Sequence, residues 1–477
     1  MKPSRPNILY IMPDELRQRA LGYRGQDPVL TPAIDRLAAE SLELENVFSN
    51  YPVCSPHRGM LFTGQYPCTN GVMGNSNSST RQFMVRLSAA VKCLPDVLFE
   101  NGYHCGYVGK WHLDSPEETD AAHLEPRRAD GKIWDAFTPV SRRHHFDFWF
   151  SYGCCDQHFR PHYWENTNDV KSVQEFPGEW GPALEAERVK KYLRNEHGER
   201  PDDQPFFMVW APNPPHMPFD QVPEQYKELY KDKSVDELLN APAFTALREA
   251  PPELPEAMRR VFDSNLEQAR SEVKDYFACV SAIDDYVGQV LQTLEDCGLK
   301  DDTLVIFASD HGELLGSHGL LRKGPWYDDS LKIPFLLRWP GVLEPGKRHF
   351  LMNTPDIMPT LLSLVDLADT IPSTVEGQDL SSLIRSEQFA SEVPAANEAG
   401  GLAYYINAAM NTRGVRDKDY FLVVLRNSYD EERPILYDLR RDPDQMRDVA
   451  AEQPDVVRRM RELLQVWMQE NHDWWLR

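Results

Sequence analysis

A chain of 477 residues with 51 Lys and Arg against 74 Asp and Glu has a formal charge of −23, which excludes the broad basic face of a nucleic-acid binder. With 41% hydrophobic, 11% aromatic and 26% charged residues it has the composition of a globular protein rather than a disordered one, and no apolar run approaches the ~18 residues of a membrane span. The length predicts one large domain with an appendage, divided as residues 1–370 and 371–477.

Met1 to Pro6 run directly into the apolar stretch Asn7 to Met12, which is too short for a signal-peptide core. The chain as it stands therefore reads as cytoplasmic, or as periplasmic or secreted if a leader has been removed. The same stretch is nearly all apolar, as a parallel strand buried on both faces would be, and it ends at Pro13-Asp14-Glu15. Thr31-Pro32 opens a helix through Ile34, Leu37, Ala38 and Leu42, and Leu94 to Phe99 forms another, closed by Asn101-Gly102. Cys105 to Val108 then gives a second strand that ends at Gly109-Lys110-Trp111-His112. A third, Phe206 to Trp210, ends in the proline-rich Pro212 to Pro218 around His216. After a Pro-, Glu- and Ala-rich excursion from about 220 to 262, apolar residues at spacings of three and four from Val273 to Leu294 mark the clearest helix. The fourth strand, Leu304 to Ala308, stops at Ser309-Asp310-His311-Gly312.

Alternating strands and helices predict an α/β fold, a large, mostly parallel sheet sandwiched by helices. Beyond about residue 370 the pattern changes to antiparallel strands (Tyr420 to Leu425, Ile435 to Tyr437) and an amphipathic helix from Val457 to Trp467. This predicts a smaller C-terminal α+β subdomain with an antiparallel sheet. In open parallel sheets ligands gather beyond the carboxyl ends of the strands, and all four strands deliver Asp, Glu, Lys or His there. The eight cysteines show no metal-knuckle spacing and read mostly as buried thiols.

Cys54 is the exception, because Pro52-Val53-Cys54-Ser55-Pro56-His57-Arg58-Gly59 places it at a plausible helix start, where free backbone N–H groups favour an anion and acidify a thiol. These residues reproduce Cys-x-Pro-x-Arg and resemble the signature of the type I, formylglycine-dependent sulfatases of the alkaline phosphatase superfamily. Asn7 to Asp14, Gly109 to His112, Pro214 to Pro218, Ser309 to Glu313 and Arg322 to Gly324 with Ile333-Pro334 resemble further blocks of that family in the same order, over roughly residues 6 to 345.

The resemblance implies conversion of Cys54 to formylglycine by a formylglycine-generating maturation enzyme. It also implies one divalent cation held by Asp14, Glu15, Asp310, His311 and the modified Cys54, and hydrolysis of an organic sulfate monoester, a sulfated saccharide being the preferred substrate. Arg58, Lys110 and Lys323 would neutralise sulfuryl oxygens, His216 or Lys323 would assist the departing alcohol, and His112 would take a proton when the sulfated hydrate collapses. The family commonly has Asp where Glu15 stands, and often Asn where His311 stands. Calcium is expected, with manganese or magnesium as alternatives because imidazole suits transition metals. Arg143, His158, His162 and Trp164, in a segment mixing basic and aromatic groups, are candidate substrate-binding residues. No nucleic-acid or membrane partner is expected, and the oligomeric state is open. The competing activity is that of a phosphonate monoester hydrolase or phosphodiesterase of the same superfamily, against which Lys110 and His112 speak.

Overall fold

The computed structural model describes residues 5–117, 131–247 and 256–476. Its main sheet has eleven strands: β1 (Asn7–Ile11), β2 (Leu42–Phe48), β3 (His104–Lys110), β4 (Phe148–Tyr152), β5 (His162–Glu165), β6 (Val173–Glu175), β7 (Phe206–Ala211), β8 (Thr303–Ala308), β9 (Lys332–Ile333), β10 (Phe335–Arg338) and β11 (Gly346–Asn353). The spatial order is β11-β2-β10-β8-β1-β7-β3-β4-β5-β6, with β9 on β2. The central run β8-β1-β7-β3-β4 is parallel throughout. Antiparallel pairing enters only toward the margins, through β10, β9, β5 and β6.

Every residue of β1, β7 and β8 is buried, because these strands lie between helices on both faces. Ile8, Tyr10, Phe207, Val209, Leu304 and Ile306 pack with the helices Cys54–Thr63, Leu94–Glu100 and Ile357–Leu364. Their alternates Leu9, Ile11, Met208, Trp210, Val305 and Phe307 pack against Pro32–Ala39, Gly181–Arg194 and Glu256–Asp296. The period of two along each strand thus sorts side chains between two cores.

The helix Pro32–Ala39 stops short of Leu42, which opens β2 instead, and the helix Glu256–Asp296 is longer than its apolar spacing predicts, since it takes in residues 256–262 of the expected surface excursion. The excursion itself holds three one-turn helices at Glu224–Lys227, Val235–Leu238 and Pro242–Thr245, while residues 248–255 lie outside the described residues.

Two topological details position the site. β2 runs in the direction of the central strands, so its carboxyl end delivers Cys54 to the edge where β1, β3, β7 and β8 end. β10 runs against β8, pairing Phe335 with Ala308, so the segment between them leaves and re-enters the sheet at that same edge, carrying Lys323.

Four strands, β12 (Ala403–Asn407), β13 (Thr412–Arg416), β14 (Tyr420–Arg426) and β15 (Glu432–Asp438), form a separate antiparallel meander. Val415, Leu422 and Leu436 on one face meet Met460, Leu464 and Trp467 of the helix Pro454–Glu470, together with Tyr51, Met60 and Tyr66 from around Cys54. Tyr405, Phe421 and Val423 on the other face meet Phe48, Trp326 and Leu351. Among the described residues no helix is long and apolar enough to cross a membrane.

Candidate active site

Cys54 opens a ten-residue helix that is buried along its whole length. Its Sγ lies 3.3 Å from His311 Nε2, 3.6 Å from Asp14 Oδ1 and 3.7 Å from Lys110 Nζ. The backbone around it is held by the loop that follows. Asn75 Oδ1 accepts from Ser55 N at 3.0 Å, and Ser55 Oγ donates to His112 O at 2.6 Å.

Asp14 and Asp310 face each other across this point. Arg58 spans them, donating to Asp310 Oδ2 from Nε and Nη2 at 3.2 and 3.1 Å and to Asp14 Oδ2 at 3.2 Å. The guanidinium is fixed from behind by Lys110 O and by Tyr107 Oη at 3.3 Å. Lys110 Nζ is 2.6 Å from Asp14 Oδ2. Burial works against the Lys110 ammonium, but Asp14 outweighs it and holds the group well above the usual lysine range. Burial likewise works against the Asp14 carboxylate, yet Lys110, His216, Lys323 and His311 keep it well below the usual carboxylate range.

Asp14, Asp310, His311 and Cys54 each offer a donor atom within one 4.8 Å group, as do Asp14, Glu15 and His216 in an adjoining one. Glu15 has φ +66°, and its carboxylate turns toward Lys323 Nζ at 2.9 Å and His216 Nε2 at 3.4 Å. Burial, and then the nearby Glu313, push Glu15 up to about 8 despite Lys323. Its Oε1 is buried without a hydrogen-bond partner, an acceptor position that a cation would satisfy. The donors therefore fit one divalent cation, with Glu15 reaching the group from its Lys323 side.

His112 Nε2 lies 3.1 Å from Ser76 O, which assigns the proton to Nε2 and leaves Nδ1 as a lone pair. That Nδ1 has no hydrogen-bond partner, and burial holds the ring below the ordinary imidazole value while the neighbouring Cys54 partly opposes it. His216 donates through Nδ1 to Met217 O at 2.8 Å, with Asp156 Oδ1 3.5 Å from the same nitrogen. Behind Lys323, Gly324 O accepts from Tyr405 Oη at 2.7 Å and Asn407 Nδ2 at 2.9 Å, so the C-terminal meander braces the lysine segment directly. Glu313 Oε1 accepts from Leu315 N and Arg322 N, shaping the approach to Lys323.

The fold thus assembles Asp14, Glu15, Cys54, Arg58, Lys110, His112, His216, Asp310, His311 and Lys323. It does not assemble the suggested substrate wall. Arg143 is buried over Trp149 and donates to Thr138 O and Thr167 O. His162 pairs with buried Asp135 at 2.6 Å, and Trp164 Nε1 donates to Val170 O at 2.8 Å. These three are internal, because aromatic and basic side chains near β4 and β5 are needed to fill and wire the sheet margin. His158 is buried as well, with Nε2 3.2 Å from Asn213 Nδ2. Tyr107 and Asp156 support the site without having been singled out in the sequence. A strand tyrosine and a loop carboxylate carry no pattern that separates them from ordinary core and turn residues.

A sequence profile of the sulfatase family matches residues 6–367. The chain belongs to the sulfatase family. A second profile, for the C-terminal region of N-sulphoglucosamine sulphohydrolase, matches residues 316–470. Among its relatives, this sulfatase is 36% identical to the endo-4-O-sulfatase of Bacteroides thetaiotaomicron, covering 98% of this chain and 93% of that protein. It is 33% identical to the ulvan-active sulfatase of Formosa agariphila, covering 88% and 73%. The crystal structure of the sulfatase YidJ from Bacteroides fragilis superposes with a TM-score of 0.88 at 33% identity, covering 100% of this chain and 98% of that one. The family places this enzyme among the sulfuric ester hydrolases of the alkaline phosphatase superfamily.

Proposed function

We propose that this sulfatase removes sulfate from a sulfated saccharide, using a formylglycine made from Cys54 by a maturation enzyme and one divalent cation. The observation that carries the reading is the convergence on Cys54 of an acidic, metal-ligating side (Asp14, Asp310, His311) and a basic side (Lys110, His112, Lys323). The substrate class rests on the two relatives named for endo-4-O-sulfatase and ulvan-active sulfatase activity.

Asp14, Glu15, Asp310 and His311 would hold the cation, calcium first and manganese or magnesium as alternatives, and the bound ion would draw charge from the sulfuryl oxygens. Arg58, Lys110 and Lys323 formally balance Asp14, Glu15 and Asp310, so a divalent cation leaves the site net positive and suited to an anionic ester. Lys110 and Lys323 provide fixed positive charge for sulfuryl oxygens. The bare Nδ1 of His112 accepts a proton from the nucleophile side. His216 and Lys323, both against Glu15, serve the side from which the alcohol leaves. The catalytic residues all fall within 1–370, and the braces at Tyr405 and Asn407 fall within 371–477.

The test is inorganic sulfate release from sulfated mono- and oligosaccharides and aryl sulfates, with protein co-produced with a formylglycine-generating enzyme. Release is expected, and Cys54→Ala should abolish it. Faster turnover of an aryl phosphonate by the same preparation, with the aldehyde verified by mass, would replace this reading with the phosphonate monoester hydrolase or phosphodiesterase one.

A further inference from the structure

Away from the strand ends, the start of the helix Leu94–Glu100 and the turn leading into β4 bring three metal-ligating side chains together, with His145 beside them. Cys93 Sγ, a carboxylate oxygen of Asp96 and a ring nitrogen of His144 lie within 4.8 Å of one another, and all three residues are buried. Asp96 Oδ2 accepts from Cys93 N at 2.8 Å and lies 3.0 Å from His144 Nδ1, while Oδ1 lies 2.7 Å from His145 Nδ1. One carboxylate is therefore clamped between imidazoles on consecutive residues, with a thiol beside it.

Burial raises Asp96, but the hydrogen bonds from His144, Cys93 N and His145 outweigh it and keep the group ionised. The His145 side chain is 51% exposed and stacks on Phe99 at 4.5 Å, so one side of the cluster meets solvent and gives an ion a way in.

We propose that Cys93, Asp96 and His144 form a second metal site, separate from the Cys54 cluster, that takes one zinc-like divalent ion, with His145 holding the outer oxygen of Asp96. The donor chemistry selects the class. A thiolate with an imidazole and a carboxylate, completed by solvent, is a four-coordinate set for zinc and its borderline neighbours, whereas calcium and magnesium take oxygen donors. His145 Nδ1 lies on the other carboxylate oxygen and orients Asp96 from outside the donor group. On binding, Cys93 gives up its thiol proton, one per ion, to solvent. His144 binds through Nδ1, the proton it had given to Asp96 moving through solvent to Nε2, while His145 keeps the Nδ1 proton it donates to Asp96. The ion would tie the helix start to the turn entering β4. Both flank β3, the strand that ends in Lys110, so its effect is on the stability of the scaffold.

The test uses the full chain carrying Cys54→Ala and Asp310→Asn, which removes the thiol and one carboxylate of the other cluster. Titration with Co2+ should give one bound ion per chain, with a thiolate-to-cobalt charge-transfer band and the intense visible bands of tetrahedral cobalt, both displaced by Zn2+. Zn2+ should also raise Tm. Adding Cys93→Ala should remove the charge-transfer band and the Tm shift. His145→Asn, at a half-exposed position whose φ of +60° asparagine accepts, should weaken Zn2+ binding about tenfold or more and serves if the cysteine variant fails to fold. Absence of the charge-transfer band, its survival in Cys93→Ala, or Zn2+ affinity unchanged in His145→Asn would each overturn the proposal.

Discussion

The edge where β1, β3, β7 and β8 end and the segment from Asp135 to Trp164 are both rich in histidine, cation and aromatic ring, yet their polar groups are used differently. At the strand ends, His112 Nδ1 and Glu15 Oε1 are buried with no hydrogen-bond partner, and carboxylates are stacked against cations around one thiol. In the other segment His162 closes on Asp135, Arg143 on two backbone carbonyls and Trp164 on a third. His158 Nδ1 is also open in that segment, so a single unpaired nitrogen decides nothing; what marks the Cys54 site is open capacity gathered with opposed charges around one thiol. Residue type does not make that distinction.

The contrast breaks most sharply at Lys110. Lys110→Ala should lower kcat by about 10²–10³-fold, the scale of losing one fixed charge on a developing oxyanion, in steady-state sulfate release. A loss under about fivefold would place Lys110 with the wiring.

Gly109 sits where site and scaffold meet. Its φ is +102°, and a Cβ there would lie 2.3 Å from Ala211 O. Gly109→Ala should cost about 3 kcal/mol in urea unfolding and displace Lys110, so activity and stability fall together.

His311 tests the ligand side. After chelation, activity should return with a divalent cation. His311→Asn should weaken activation by Mn2+ by about tenfold or more relative to Ca2+, read from metal titrations of activity. An unchanged ratio would remove imidazole from the donor set.

Glu185 lies fully buried behind β7, accepting from Tyr163 Oη at 3.0 Å and Trp210 Nε1 at 3.2 Å. Burial pushes it from 4.5 up to about 7 despite these bonds. The fold therefore favours the neutral acid. Its contribution is complete below the unfolded value of 4.5 and is lost as pH rises through about 7. Glu185→Gln should gain on the wild type, on the order of 2 kcal/mol, in unfolding measured across that window. A constant difference at all pH would show that the carboxyl is ionised in the fold.

The smallest effect belongs to the wiring. Trp164→Phe loses one buried hydrogen bond, worth about 1 kcal/mol, and kcat/KM per folded molecule should not move. A selective rise in KM would return Trp164 to the substrate.

Much of the scaffold was legible because a buried parallel strand has few alternatives. Asn7 to Met12, Phe206 to Trp210 and Leu304 to Ala308 are apolar without alternation and end in charge, which a doubly covered sheet requires. The marginal strands were not legible. β2, Leu-Glu-Leu-Glu-Asn-Val-Phe, mixes charge into its alternation, and β9 is two residues long. The direction of β10, which returns Lys323 to the site, leaves no mark in its own four residues.

The sequence by itself determined the chemistry available: a cysteine at a helix start, with carboxylates, histidines and Lys110 at strand ends, while Lys323 entered only through the family resemblance. Local pattern suffices for the former, since strand termini and helix starts are set by short-range sterics and hydrophobic period. Only the tertiary structure decided which histidines stand free and which are tied, that Glu15 turns toward Lys323, and that residues Tyr405 and Asn407 brace a loop some eighty positions earlier. Those outcomes depend on hydrogen-bond partners far apart in the chain, and a partner's presence is a property of packing that no local stretch of sequence contains.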